Sequence, residues 1–165
     1  QLGRVADGAE LLRTAAQMSP DYKLIVDYAV CMIRMSEFAE AEKLIKAAHD
    51  QGAADDHVRR LRALLWAAMG RREAAFELLK TEKNLSNVFV TSANALLGYR
   101  EKAIRGIEAA RGEQGFRKYR WYPYSYLVLM NNRFFDNLRE EAAFQAILKE
   151  EKALYDQRVK KFGDL

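Results

Sequence analysis

The residues best equipped for chemistry in this sequence are Cys31, His49, His57, the acids between the two histidines and two glutamate pairs near the C-terminus. Cys31 stands beside Ala29 and Val30 in an apolar stretch, where a free cysteine packs as a small hydrophobe rather than acting as a nucleophile. His49 and His57 flank the loop HDQGAADDH, and a metal site there would need imidazoles and carboxylates to converge as three or four ligands. The plainer reading puts Asp50, Asp55 and Asp56 at helix ends, with Asp55 or Asp56 as an N-cap. Glu140–Glu141 and Glu150–Glu151 are chain neighbours, which in a helix point about 100° apart and cannot share a substrate. No glycine-rich phosphate loop and no Ser–His–Asp set is present. The expectation is a protein that is not an enzyme, with no catalytic residues, no metal and no cofactor.

One segment interleaves cations with aromatics: FRKYRWYPYSY, residues 116–126. Arg117, Lys118, Tyr119, Arg120, Trp121 and Tyr122 could stack bases and neutralise phosphates, or make an amphipathic contact with a partner protein or membrane surface. The plainer alternative packs Trp121, Tyr122 and Tyr126 onto neighbouring helices and leaves Arg117, Lys118 and Arg120 in water.

The elements that must carry these residues are helical. Only 2 Pro and 9 Gly occur in 165 residues, too few for the turns of an all-β fold, while Ala, Leu, Glu, Lys and Arg dominate. The length fits one domain with a substantial core. The single cysteine excludes an internal disulfide. No apolar run approaches the roughly 20 residues that a bilayer-spanning helix requires. The net charge of +4 favours acidic partners. The first residue is Gln1 rather than Met, and the opening reads as the middle of a pattern, so the chain is expected to be part of a longer one. The compartment stays open, with the cytoplasm favoured over the periplasm.

The pattern is a repeat. In residues 22–52, Ile25, Tyr28, Ala29 and Met32 share one helical face, and Ser36–Glu37 break it. Phe38, Ala41, Leu44, Ile45 and Ala48 share a face of a second helix, which Gly52 ends. Thirty-four residues on, Ala63, Trp66, Gly70, Ala75 and Leu79 fall on the sites of Ala29, Met32, Ser36, Ala41 and Ile45. Arg59 and Arg62 occupy sites that are usually apolar, so either that helix is rotated or its stripe runs Val58, Leu61, Leu65, Ala68. A third hairpin, residues 87–110, has Gly98, Ala103, Ile107 and Ala110 in the corresponding positions, with Ala75 to Ala103 only 28 residues apart. Upstream, residues 9–19 read as the second helix of an earlier hairpin, with Leu12 and Ala15 inward and Pro20 as its stop.

Residue by residue this resembles the tetratricopeptide repeat. Ile25, Tyr28, Ala29, Met32, Phe38, Ala41, Ile45 and Ala48 stand on its signature sites, with small residues where antiparallel helices approach and large ones beside them. The resemblance implies an all-α fold, an α-α superhelix of antiparallel helix hairpins closed by C-terminal helices. It also implies a concave groove lined by the first helix of each hairpin. Those lining residues are Lys23, Val26, Val30, Ile33 and Arg34 in one hairpin, and His57, Arg60, Leu64 and Ala67 in the next. The carboxylate clamp of chaperone-binding members needs Lys and Asn where this chain has Val26 and Val30, so that specialisation is not expected. A protein or peptide partner with apolar anchors and acidic residues suits such a groove.

From Arg111 the repeat stops. Residues 132–148, NRFFDNLREEAAFQAIL, resemble a tail that follows such repeats in bacterial signalling proteins, D-P-x-F-D-x-L-R-x-D-P-R-F-x-x-L-L. Phe135, Asp136, Leu138, Arg139, Phe144, Ile147 and Leu148 match its marked sites, while Asn132–Arg133 and Glu141–Ala142 replace its two Asp-Pro pairs, so residues 139–148 are expected to be continuously helical. A short helix is expected over 125–131. Residues 149–165 read as an amphipathic helix with Leu154, Tyr155, Val159 and Phe162 inward, either a solvated cap or a surface for homodimerisation. The organisation expected is therefore repeats over 1–112 and a C-terminal aromatic, basic and capping segment over 113–165, packed as one domain. The function expected is a protein–protein interaction module, an accessory region of a larger bacterial signalling or regulatory protein. A small-ligand sensor and a nucleic-acid binder through residues 117–122 are the alternatives.

Overall fold

In the computed structural model, described over residues 2–19, 21–112 and 123–163, the turns within the three hairpins repeat one hydrogen-bond pattern, which recurs between hairpins at Gly52 and Ala53. Ser36, Gly70 and Gly98 each take a left-handed backbone, with φ of 66, 76 and 82°. Their amides donate to Ile33, Ala67 and Ala95, and the next amide along, from Glu37, Arg71 and Tyr99, donates to Met32, Trp66 and Asn94. These bonds satisfy carbonyls that a helix end leaves open and fold the chain back into the next helix. The turn positions are those of the sequence register.

Among the described residues all regular structure is helical. The helices are α1 (Leu2–Met18), α2 (Tyr22–Met35), α3 (Phe38–Asp50), α4 (Asp55–Ala68), α5 (Arg72–Leu79), α6 (Val88–Leu96), α7 (Arg100–Gly112), α8 (Tyr126–Asn131) and α9 (Ala142–Phe162), with a 3₁₀ helix over Arg133–Leu138. None is long and apolar enough to cross a membrane. The fold is the all-α, tetratricopeptide-like arrangement of helices packed as adjacent pairs. The chain forms two compact units, Gln1–Lys83 and Asn84–Leu165, so the third hairpin shares its unit with the C-terminal helices.

In the first unit α2 pairs with α3 and α4 with α5, while α1 packs on α2 and α3 on α4. The signature alanines Ala29, Ala41, Ala63 and Ala75 are fully buried, since only a methyl group fits where the paired helices approach most closely. Asp21 caps α2, its carboxylate accepting from the Lys23 amide at 2.9 Å. Two expectations are corrected. Helix α1 begins at Leu2 rather than near Ala9, and it buries Ala9, with Leu12 and Ala15 half-buried. Ala54 rather than Asp55 or Asp56 is the N-cap of α4, and both aspartates lie in its first turn, where the helix dipole favours negative charge.

In the second unit Asn87 caps α6, accepting from the amides of Phe89 and Val90. Helix α7 gives Ala103, Ile104, Ile107 and Ala110 to a core closed by Tyr124, Leu129, Phe135, Leu138, Phe144, Ile147 and Leu148. Residues 139–148 are not one helix, contrary to expectation: the chain turns at Arg139–Glu141, Glu141 is extended at ψ 124°, and α9 begins at Ala142. The Asn132 side chain supplies the preceding turn without proline by accepting from the Phe134 amide at 3.2 Å. Helix α9 runs to Phe162, with Leu154, Tyr155 and Val159 half-buried, but Phe162 itself is exposed rather than inward.

Candidate partner-binding surfaces

The first-unit candidates lie on α2 and α4, which pack against each other as well as against their hairpin partners. That packing changes what the face presents. Val26, Ile33 and Leu64, expected as exposed lining, are 4%, 0% and 1% accessible. Helix α2 is flanked by α1, α3 and α4, and α4 by α2, α3 and α5, so each has apolar neighbours on more sides than one hairpin provides. The apolar lining is therefore core. What remains accessible is Lys23, which is exposed, and Val30, Arg34, His57 and Arg60, which are half-buried.

Tyr22 joins the two helices. Its ring meets that of His57 edge-on, 6.3 Å between centroids at 81°, and the Lys23 ammonium lies 6.0 Å from the Tyr22 ring. Burial, with Arg60 nearby, pushes the His57 imidazole below its ordinary pKa, so it is neutral at pH 7. Burial also raises the Cys31 thiol, against the opposing pull of Arg34, which keeps it protonated and unreactive.

Arg60 is held rather than free. Its Nε donates to Glu82 at 2.7 Å, and its Nη2 lies 3.6 Å from Asp56. Arg59, one position away, donates to the same Glu82 carboxylate at 3.0 Å and to the Leu78 carbonyl at 2.6 Å. Glu82, its side chain only 4% accessible, is thus clasped by two guanidiniums just past the end of α5. Sequence reasoning missed this clasp, although Arg59 at a usually apolar repeat site was its signal. Helix α4 does carry its apolar stripe through Val58, Leu61 and Leu65, all buried, with Ala68 half-buried.

A second concavity was also missed, a cleft of about 580 Å³ lined by Lys46 and His49 of α3, Asp55, Asp56, Val58, Arg59 and Arg62 of α4, and Leu78 of α5. His49 Nε2 lies 3.0 Å from Asp55. Among the described residues no three of His, Cys, Asp and Glu gather where a metal ion would sit.

In the second unit, Arg117, Lys118, Tyr119, Arg120, Trp121 and Tyr122 lie outside the described residues. The chain on either side is anchored. Arg111 pairs with Glu150 at 2.5 Å and with Glu151 at 2.9 Å, and Tyr124, fully buried, donates its hydroxyl to the Ser86 carbonyl at 3.3 Å. Leu127, Val128 and Met130 of α8 are exposed.

No curated protein and no solved structure matches the chain. Residues 1–65, from the start of the chain into α4, match the family model of the tetratricopeptide repeat, and with the hairpin turns and buried alanines described above this stretch carries a tetratricopeptide repeat.

Proposed function

We propose that the chain is a non-enzymatic protein–protein interaction module whose α2/α4 face receives an acidic segment of a partner. The observation that carries this reading is the Tyr22–His57 ring contact that joins the first helices α2 and α4 of a tetratricopeptide-like stretch, with the exposed Lys23 ammonium 6.0 Å from the Tyr22 ring. Such repeats generally mediate protein–protein interaction. A partner carboxylate would meet the exposed Lys23, and the Tyr22 ring and Val30 would receive an apolar side chain. With Val26, Ile33 and Leu64 in the core, the partner is held more by charge than by deep anchoring, so binding is expected to weaken with salt. The wider setting, an accessory region of a bacterial signalling or regulatory protein, belongs to the same proposal and is supported by the tail-like residues 132–148.

The test is affinity capture from cells of the source organism with wild type and Lys23→Glu. Lys23 is exposed, so the variant should melt as the wild type does while recovering markedly less partner. Equal recovery of the same partners by both proteins would remove the α2/α4 face as the binding site.

A further inference from the structure

The cleft between α3, α4 and α5 lies on the reverse of the face just discussed. At about 100° per residue, Asp55, Val58, Arg59 and Arg62 centre roughly half a turn around α4 from His57, Arg60 and Leu64. A segment bound in one would leave the other open.

We infer that this cleft is a second docking surface, taking a partner segment in which a carboxylate side chain stands next to an aliphatic one. The argument rests on the register between α3 and α4. Two cross-helix pairs fix it, Glu42–Arg62 at 3.5 Å and His49–Asp55 at 3.0 Å. Between these rungs α3 advances by as many residues as α4 retreats, and the intermediate rung sets Lys46 opposite Val58. Lys46 is exposed and makes no ion pair among the described residues, and it lines the cleft together with the apolar Val58, whereas the flanking rungs are polar pairs. The acidic end of the cleft is already engaged, Asp55 by His49 and Asp56 by Arg59 at 3.0 Å. What the cleft lacks is a carboxylate at its middle.

Its floor supplies the other half of the recognition. Val58 is buried and Leu78 half-buried, and an aliphatic side chain laid across them would leave water while an adjacent carboxylate reached Lys46. The volume of about 580 Å³ lies in the roughly 300–1,000 Å³ range of pockets that hold small ligands or a few side chains. Because the attraction is partly exposed, a short peptide should bind weakly and in a salt-dependent way.

The probe is the capped dipeptide N-acetyl-Glu-Leu-amide, titrated into the full chain and followed by amide NMR shifts, with N-acetyl-Gln-Leu-amide as the uncharged comparator. Saturable shifts are expected at Lys46, Val58, Arg62 and Leu78. Affinity should fall about tenfold in Lys46→Glu or when Gln replaces Glu, and hold in Lys23→Glu on the opposite face. Lys46→Met, which removes the charge and keeps the stem, should give an intermediate loss, and melting curves of the variants check that each is folded. Absence of a saturable shift, shifts centred on Tyr22, Lys23 and His57, or equal affinity for the two peptides would each overturn the proposal. Loss of the α2/α4 face as a binding site would leave this outcome unaffected, since the readouts lie on different residues.

Discussion

Ser36 sits in the left-handed region at φ 66°, where the two later turns use Gly70 and Gly98. A side chain in that conformation costs about 1–2 kcal/mol, while glycine's added freedom in the unfolded chain returns roughly half of the gain. Ser36→Gly should therefore stabilise the first unit by about 0.5–1 kcal/mol, read as a higher melting temperature; an unchanged or lower one would contradict the strain argument. His57 acts in the other direction. Its folded-state pKa is depressed below 6.5, so its contribution is complete above that pH. As pH falls, the unfolded chain takes up the proton first and stability is lost toward the folded pKa. Melting temperature should decline as pH falls below 6.5, and His57→Gln should flatten that decline. At this scale the sequence was only partly legible. It pointed to Lys23, Arg34 and Arg60 through the repeat register, but it could not show that α2 and α4 have enough neighbours to bury Val26, Ile33 and Leu64. A one-dimensional pattern marks which residues share a face and leaves open what covers that face.

The hairpins were the most legible part, because their spacing is set by helix geometry and by the small residue each crossing demands. Ala103, 28 residues after Ala75, is as fully buried as Ala75 and Ala41, although α6 has 9 residues where α2 has 14. The C-terminal third was less legible. There the asparagine side chain at residue 132 makes the turn that a proline signal would have announced. One close approach carries a sharp test. A Cβ on Gly106 of α7 would collide with the Leu85 carbonyl and come within 2.6 Å of Thr91 Oγ1, the hydroxyl that donates to Leu85 O at 2.7 Å. Gly106→Ala should cost about 1–3 kcal/mol despite alanine's better helix propensity. A neutral or stabilising result would mean that the loop before α6 yields easily.

At the scale of the whole chain the net charge of +4 lies in residues 84–165, and residues 1–83 carry as many Lys and Arg as Asp and Glu, so each candidate surface of the first unit relies on its local cations to attract acidic segments. How the contacts partition was not legible in the sequence, because a boundary between compact units is a matter of which residues touch; the shortened spacing from Ala75 to Ala103 was the one irregularity near Lys83. That boundary follows directly on the clasped Glu82. Between α5 and α6 the chain has no regular structure from Lys80 to Asn87, and it carries Lys80 and Lys83, either of which trypsin would recognise. Cleavage requires several residues to peel away and thread a protease cleft in extended form, and the two guanidiniums hold the middle of this stretch against α4. Glu82→Gln leaves the shape and loosens the grip, so limited digestion should cut at Lys80 or Lys83 several-fold faster than in wild type, releasing fragments that divide at the boundary. Equal digestion rates would show that the clasp does not guard this connecting segment. The same grip that tidies the end of one helix would then determine how long the chain survives as a single piece in the presence of proteases.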